Sequence, residues 1–499
     1  MNVNETIALM KAAQANGSAD ILAKNFSQSG TATQGLQAYD LEAPSKKLYP
    51  VMTPLRNMLP RVGGGFSVQA NWKAITGINS ASPRAGISEG KRGASVSHSL
   101  TEYLAAYRGI GLEKSVTFEA DYASRGFEDL KAAAVLQALQ STMIAEEMII
   151  LGGNTSTALG TTPTPTVATA TTGGSIAAAT YNVICVGLGL QAYWDVAGAN
   201  NGNVGQVLDV TTATVPGSIT RTNADGTTDT FGGGTAAKSV AASQVTTGST
   251  STISASVAAV KGAYAYAWFL GTSGAEKLAA VTTINSVVLT AVPGSGQNAS
   301  TLSGDNSQST LEFDGLLTLA CKSGSGSYFN SLATGTAGTG TTLSAAGGRV
   351  AEIDTALASF YRNYRLQPTD MYVSYVQFQK ITNLILGASN PSVSMFMNVD
   401  APQEVVAGRN VGKYVSPING AVINIVVHPN MVPGTILFYT SQVPAYVDGI
   451  SDIARVRTRQ DYYQIEWPLK SRKYEYGVYA DEVLQHFLPP SMGILTNIA

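Results

Sequence analysis

The stretch FEDLKAAAVLQALQSTMIAEEMIIL, residues 127–151, is the strongest secondary-structure signal in the chain. It contains neither proline nor glycine, and residues of high helix propensity dominate it. Ser124 is a candidate N-cap, and acidic residues occupy the first turn. The pattern predicts one helix of roughly 37 Å at 1.5 Å per residue. Apolar residues cover more than half of its circumference, so we expect core positions at Leu130, Leu136, Leu139 and Met143.

Two strand-like runs upstream of this helix predict a long hairpin. Phe66–Thr76 and Ser99–Thr117 are the strands, and a polar, glycine-containing tip lies between them. Before the hairpin, residues 48–55 (LYPVMTPL) contain two prolines and are predicted to be extended. Gly63-Gly64-Gly65 then forms a flexible joint.

The segment that follows the helix has a different composition. Residues 155–310 hold only ten charged side chains and are dominated by Thr, Ser, Ala and Gly. Either a disordered linker or an all-β module would have this composition, and two runs favour the β module. Tyr181–Leu188 is rich in β-branched residues, and Gly262–Phe269 alternates aromatic with small residues at the period of a strand.

The last third of the sequence predicts a mixture of helices and strands. Arg349–Tyr364 and Val376–Leu386 have helical periodicity. The predicted strands are Met371–Tyr375, Ala421–Val427, Gly434–Tyr439, Arg455–Leu469 and Lys473–Phe487.

Composition argues against several classes of site. Charged residues make up 13% of the chain and the formal net charge is −2, so no basic field indicates nucleic-acid recognition. The two cysteines, Cys185 and Cys321, are too few for a disulfide scaffold. His98, His428 and His486 lie far apart and show no metal-binding spacing. We therefore predict no catalytic, cofactor-binding or metal-binding residues and no enzyme activity.

Other features indicate neither phosphate binding nor membrane insertion. Residues 408–413 (GRNVGK) have the wrong spacing for a phosphate-binding loop and are better explained as a turn. The first residues do not form the apolar core of a signal peptide, and prolines interrupt the uncharged stretch 421–447.

Glu146 and Glu147 are adjacent, so they point to different helix faces and form no carboxylate pair. We expect one of them to face a neighbouring chain, and the alternative is that both are solvated charges.

Two sets of charged residues are candidates for contacts between subunits. Arg455, Arg457 and Arg459 share one face of a strand and could bind carboxylates or phosphates. Acidic residues nearby favour ion pairs, within or between chains, over DNA. The second set lies at the tip of the predicted hairpin and consists of Arg84, Glu89, Lys91 and Arg92.

The order of these elements resembles the major capsid protein of tailed bacteriophages, which has the HK97-type fold. The hairpin at 66–110 is similar to the family's E-loop, and the long helix to its spine helix. The other pieces that carry the resemblance are the arm PSKKLYPVMTPLR (44–56), VTFE (116–119) with DYAS (121–124), EEMIILGGN (146–154), FDGLL (313–317), LQPTDMYVS (366–374) and FLPPSMGIL (487–495).

This resemblance implies an α+β fold of the HK97 type with an all-β, immunoglobulin-like insertion. The implied division is an N-terminal arm (1–65), an E-loop hairpin with a P-domain strand (66–118), the spine helix (119–154), the insertion (155–310), an A-domain (311–450) and C-terminal P-domain strands (451–499). We expect the insertion to be a separate sandwich on the outer face of a shell, with Tyr181, Trp194, Tyr264, Tyr266 and Trp268 supplying its core.

The resemblance also implies a function and partners. The chain would form hexamers and pentamers of an icosahedral shell that encloses double-stranded DNA, contacted non-specifically. It would be located in the virion capsid and assembled in the host cytoplasm. A portal protein is an implied partner, scaffold and decoration proteins are further candidates, and no membrane is involved. Two alternatives stay open at this point, an encapsulin-like compartment shell and a secreted surface-layer or adhesin-type protein.

Overall fold

The computed structural model of the chain describes residues 50–77, 84–93, 98–124, 128–199, 213–386, 411–443 and 452–499, with a few isolated positions between them. Its helices are α1 (Pro54–Met58), α2 (Phe118–Ala123), α3 (Leu130–Gly152), α4 (Leu190–Ala199), α5 (Leu316–Cys321), α6 (Ala351–Tyr364) and α7 (Tyr375–Leu386). These helices and the strands given below make a mixed α+β fold, as the sequence predicts.

The strands in the first half of the chain are β1 (Arg61–Val62), β2 (Gln69–Gly77), β3 (Ser99–Ala106), β4 (Arg108–Thr117), β5 (Thr166–Ala170), β6 (Thr180–Leu188), β7 (Val207–Leu208), β8 (Ser218–Thr222), β9 (Thr228–Gly232) and β10 (Ala242–Val245). Those in the second half are β11 (Thr252–Ser256), β12 (Ala265–Gly271), β13 (Lys277–Thr282), β14 (Ser286–Leu289), β15 (Tyr328–Ser331), β16 (Asp370–Val373), β17 (Lys413–Val415), β18 (Val422–Val427), β19 (Ile436–Tyr439), β20 (Ala454–Glu466), β21 (Lys473–His486) and β22 (Gly493–Thr496).

The long helix α3 forms where the sequence predicts it but begins later. Its N-cap is Asp129 rather than Ser124, because the Asp129 carboxylate accepts hydrogen bonds from the backbone N–H groups of Lys131 and Ala132 at 3.0 and 3.2 Å. By length and composition α3 could cross a membrane. It packs instead against β4 and β21 and buries two glutamates.

Small residues form most of the buried face of α3, and this differs from the prediction. Ala133, Ala134, Ala138 and Thr142 are buried, whereas Leu136 is 38% exposed. Leu130, Leu139 and Met143 are only half-buried. The expected burial is thus wrong for Leu136 and only partial for the other three. Small side chains let the sheet approach the helix backbone, and the longer side chains are left at the flanks of the contact.

The sheet beneath α3 has the strand order β1-β20-β21-β4. The short strand β1 runs parallel to β20, and the other neighbours are antiparallel. The β20–β21 register shifts twice between Thr458 and Tyr463, so the long strands are irregular there.

The predicted hairpin consists of β2 and β3 only. The run Ser99–Thr117, predicted as one strand, divides at Tyr107, and β4 leaves the hairpin to join the sheet beneath α3. Trp72 and Tyr103 are a cross-strand pair whose rings stack at 5.9 Å on the buried face. On the opposite face Leu100 and Leu104 are each 60% exposed. One face of the hairpin therefore contacts its own chain, and the other carries uncovered apolar side chains.

The segment 155–310 contains two packed sheets. A five-stranded sheet has the order β10-β6-β12-β13-β7, and a three-stranded sheet has the order β14-β11-β5. Trp268 and Tyr266 on the larger sheet belong to one buried cluster with Ile253 and Val287 on the smaller one. Sheet-on-sheet packing of this kind is the architecture of a β-sandwich.

Two features of this segment differ from the expected immunoglobulin-like insertion. It contains the ten-residue helix α4, so it is not all-β. The other face of its large sheet, with Val186 and Ala267, forms a continuous buried cluster with Leu151 of α3 and Leu316 of α5. Of the aromatic residues expected in its core, Tyr181, Tyr264, Tyr266 and Trp268 are buried and Trp194 is half-buried.

The last third of the chain forms a six-stranded mixed sheet of order β15-β22-β19-β16-β18-β17. A second buried cluster joins this sheet to α6, with Phe360 of α6 in edge contact with Phe438 of β19 at 6.0 Å. The predicted helices and strands of this region agree with α6, α7, β16, β18 and β19 to within about two residues, which is ordinary boundary variation.

Truncating a fully buried residue of the sandwich tests this packing. Trp268 is 0% exposed and its Nε1 donates to Thr282 Oγ1 at 2.8 Å. We expect Trp268→Ala to lower the free energy of unfolding by about 3–5 kcal/mol, measured by chemical denaturation. Val288→Ala is the matched control, since Val288 in the same sandwich is 42% exposed. Equal effects of the two substitutions would contradict the packing.

Candidate functional site

The most concentrated group of buried charges lies where the N-terminal part of the chain crosses α3. We call residues 54–62, which comprise α1 and β1, the strap. Glu146 and Glu147 of α3 both face this region, and the side chain of each is 1% exposed. The alternative that both are solvated charges is therefore wrong. A buried carboxylate is costly unless donors surround it, and each of the two has its own set.

Glu147 caps the strap helix from outside it. Its carboxylate oxygens accept the backbone N–H groups of Leu55 at 2.9 Å and Arg56 at 2.7 Å, which have no acceptor within so short a helix. The N-cap residue itself, Thr53, makes no side-chain bond to them. One glutamate of the long helix thus takes the role that an N-cap side chain usually has.

The same glutamate binds the loop after β18. Asn430 N–H donates to Nδ1 of His428 at 3.1 Å, so the proton of a neutral His428 is on Nε2. This nitrogen lies 2.7 Å from Glu147 Oε1 and donates to it. Glu147 therefore joins three distant parts of the chain, the strap, α3 and the six-stranded sheet.

Glu146 binds the two arginines of the strap. Arg56 Nε donates to it at 3.0 Å, and Arg61 Nη1 and the Tyr462 hydroxyl also donate to its carboxylate. Both arginines lie over the Tyr462 ring, with Arg56 Cζ at 5.1 Å and Arg61 Cζ at 4.8 Å from the ring centroid.

Arg61 connects three carboxylates. Besides Glu146 it binds Asp461 and Glu482, each at 2.7 Å from Nη2. Burial by itself lowers the pKa of Arg61, but the hydrogen bond with Asp461 and the charges of Glu482 and Glu146 outweigh it, so the net pKa is raised. The arginine is charged at every pH at which the protein folds.

Glu482 is the most deeply buried carboxylate of the cluster. Its side chain is 0% exposed, Oε2 accepts from Arg61, and Oε1 has no hydrogen-bond partner among the described residues. Burial, and then the charge of Glu146, raise the pKa of Glu482 to about 8, although Arg61 opposes this shift. The buried pair Glu146 and Glu482 therefore retains one proton at neutral pH.

Local sequence explains why the strap lies in this place. Pro54 stands at the first helical position, where its missing N–H costs nothing, so the second proline of the extended run begins a helix. Leu55 and Leu59 are 0% and 3% exposed and anchor the strap in the core. Val62 completes the short pairing with β20.

The predicted arginine row holds the base of the hairpin within its own chain. Arg455 Nε donates to Gln485 at 3.0 Å, and Arg457 donates to the Tyr107 hydroxyl at 3.2 Å. Arg459 forms an ion pair with Asp481 at 2.7 Å. The four residues predicted at the hairpin tip are all exposed, namely Arg84, Glu89, Lys91 and Arg92. Their contacts with other subunits stay a prediction.

His486 lies buried under the hairpin. It is 1% exposed, its carbonyl accepts from Trp72 Nε1 at 3.1 Å, and neither ring nitrogen has a partner among the described residues. Burial lowers the pKa of His486 to about 3, so the ring stays neutral in the folded chain. His98, in contrast, is exposed.

The Glu147 cap predicts a measurable loss of stability. Glu147→Gln keeps the shape but removes the charge that three donors face, so we expect the free energy of unfolding to fall by about 1–3 kcal/mol. Glu119→Gln is the matched control, because Glu119 pairs with Arg472 at the surface with 64% and 79% exposure. That control should change stability by about 1 kcal/mol or less. Chemical denaturation of both variants measures the difference, and equal losses would contradict the cap.

His486 predicts a pH dependence of stability at the acid side. The unfolded chain binds a proton at the ordinary pKa of 6.5 and the folded chain only near 3, so folding loses stability as the pH falls from 6.5 towards 3. We expect His486→Phe to flatten this part of the stability curve, measured by denaturation at pH 4 to 8. An unchanged slope would show that His486 is not the group that titrates.

Comparisons with known proteins give similarity to solved structures only. No family profile and no curated protein matches the sequence. A structure described as Mycobacterium phage Bobi has 10% identity and a TM-score of 0.39 and covers 95% of this chain and 98% of its own. The capsid of a native GTA particle has 7% identity and a TM-score of 0.40, with 95% and 99% covered. The capsid of cyanophage P-SCSP1u has 9% identity and a TM-score of 0.36, with 96% and 98% covered.

Proposed function

We propose that the chain is a structural subunit that assembles with copies of itself into a closed capsid shell of the phage type. The observation that carries this proposal is the two-faced hairpin of β2 and β3. Its inner face packs on its own chain, while Leu100 and Leu104 on the outer face, and Phe66 and Val68 at its base, are 60–80% exposed. A face with this many exposed apolar side chains is typical of a surface that another molecule covers.

Further proposals concern how copies meet. The exposed hairpin-tip charges, Arg84, Glu89, Lys91 and Arg92, pair with an adjacent subunit, and many copies make such individually weak pairs effective. The double-sheet segment 155–310 lies on the outer face of the shell. Hexamers and pentamers of this subunit, with a portal protein, enclose double-stranded DNA that the near-neutral chain contacts without sequence preference.

Particle formation is the direct test of the proposed function. We expect the purified full-length protein, or particles from its source, to appear as closed shells by electron microscopy. Double-stranded DNA inside native particles supports a capsid, and protein cargo without nucleic acid indicates a compartment shell instead. Flat lattices indicate a surface layer. A soluble monomer at every concentration and salt condition contradicts assembly.

Substitutions on the outer face of the hairpin are expected to impair assembly without destabilising the folded subunit. Leu100→Ser combined with Leu104→Ser removes apolar area that is exposed in the subunit, so thermal stability of the unassembled chain should change little. Assembly yield, measured by light scattering and microscopy, should fall strongly. Lys73→Ser is the control on the same face, where Lys73 is also exposed. Normal shells from the double variant would remove this face from the contact between subunits.

A further inference from the structure

The strap is bound to the body at few points, and most of them are charged. β1 pairs with β20 through two residues only, Arg61 and Val62. The glycines 63–65 follow directly, and Gly64 has a φ of +85° with open space around it. Apart from the apolar anchors of α1, the strap is held by hydrogen bonds of its backbone and arginines to carboxylates and by single contacts. The carboxylates are Glu146, Glu147, Asp461 and Glu482. The single contacts include Val456 N–H donating to the Pro60 carbonyl and the Tyr372 hydroxyl donating to Met58 Sδ. A segment held in this way beside a glycine joint can leave the body without disrupting the long strands.

Charged and titratable groups face Glu482 from every element packed against it. They are Glu146 on α3, Arg56 on α1, Arg61 on β1, Asp461 and Tyr462 on β20, and Arg108, the register partner of Glu482 on β4. Glu147 is the next residue of α3 after Glu146, and it pairs with His428 from the loop after β18. The members joined to one another by hydrogen bonds or ion pairs include two arginines, Arg56 and Arg61. They also include three carboxylates, Glu146, Asp461 and Glu482.

Among the described residues Arg61 alone donates to Glu482, so an ionised Glu482 has one donor for its two oxygens. Asp461 is 54% exposed and water can solvate its charge, but Glu146 and Glu482 are at most 1% exposed. Two buried carboxylates cannot both be ionised at low cost next to each other. Glu482 is the one whose second oxygen has no donor, so it is the natural position for a proton. Its pKa, raised to about 8, agrees with this placement.

We propose that a proton on Glu482 holds the strap in its docked position, and that loss of this proton as the pH rises loosens the strap from α3 and β20. The docked strap is then a pH-sensitive element of the subunit. When the strap leaves, water reaches Glu146 and Glu482 and solvates both as carboxylates. When it returns, one of them must take up a proton again.

The direction of the pH effect follows from the two pKa values. Glu482 ionises near pH 8 when the strap covers it, and near its ordinary value of 4.5 once water reaches it. Between these values the docked form binds one more proton than the released form. Release therefore becomes more favourable by up to about tenfold per pH unit in this window and levels off above pH 8. Below pH 4.5 the proton is bound in both forms and the effect disappears.

Hydrogen exchange of the strap amides tests this inference on the full-length protein. Exchange of a peptide covering 54–62 is followed by mass spectrometry from pH 5 to 9, with rates corrected for the intrinsic pH dependence of exchange. Light scattering at each pH checks that the assembly state is constant, so a failure of assembly and a failure of the switch are distinguishable. The β19 peptide, 436–439, is buried in the six-stranded sheet and reports unfolding of the whole subunit.

We expect strap protection in the wild-type protein to fall between pH 5 and 8 and then level off, while β19 stays protected. Glu482→Gln is permanently neutral and should keep the strap protected across the range. Glu119→Gln is the control, because it removes a surface carboxylate that pairs with Arg472 outside the cluster and should follow the wild-type curve.

Three outcomes would overturn the inference. The first is strap protection in the wild-type protein that does not change with pH, a result that needs no variant. The second is a Glu482→Gln curve that falls as the wild-type curve does. The third is simultaneous loss of protection in the strap and β19, since the whole subunit and not the strap would then respond.

Discussion

Two adjacent carboxylates buried on one helix constrain how the rest of this chain is arranged. A helix satisfies its own backbone groups but offers nothing to a buried glutamate, so Glu146 and Glu147 need donors from elsewhere. The strap supplies its arginines and its free N–H groups, β20 supplies Tyr462, and the loop after β18 supplies His428. Removing any of these elements would take away part of the donor set of a buried carboxylate. The cluster therefore determines how three separate parts of the chain sit on α3.

The close approach that this arrangement needs comes from the small residues of α3. Ala133, Ala134 and Ala138 let β4 and β21 lie near the helix backbone along its first half. Near the other end of the helix the two glutamates face the strap, and Ile150 with Leu151 enters the main core. The contacts of α3 therefore differ along its length: small residues pack against the sheet in its first half, the glutamates bind the strap, and apolar residues enter the core at its end. Leu136, which belongs to none of these contacts, remains exposed.

Sequence patterns predicted the elements better than their contacts. Long periodic runs such as α3 and α6 form close to where they were expected, because helix propensity and apolar spacing act locally. Burial on α3 was mispredicted since an apolar residue indicates only that a position can be buried, not which neighbour covers it. The division of Ser99–Thr117 into β3 and β4 depends on Tyr107 turning between two sheets, and no local pattern marks that turn. α4 was missed because the small-residue composition around it is also typical of strands and turns.

The candidate site could not be found by searching for catalytic motifs, since its residues come from positions 56 to 482 and each is common on protein surfaces. A weaker signal was present in the composition. Only 13% of the residues in this chain are charged, so a pair of glutamates inside a long apolar helix stands out. The two arginines of the strap, whose other residues are apolar except for Asn57, are the complementary group. Folding buries apolar segments, so a charged side chain inside such a segment loses its hydration water. It then needs hydrogen-bond or ion-pair partners from the protein, and charges of this kind in a charge-poor chain therefore indicate buried partners rather than contact with solvent.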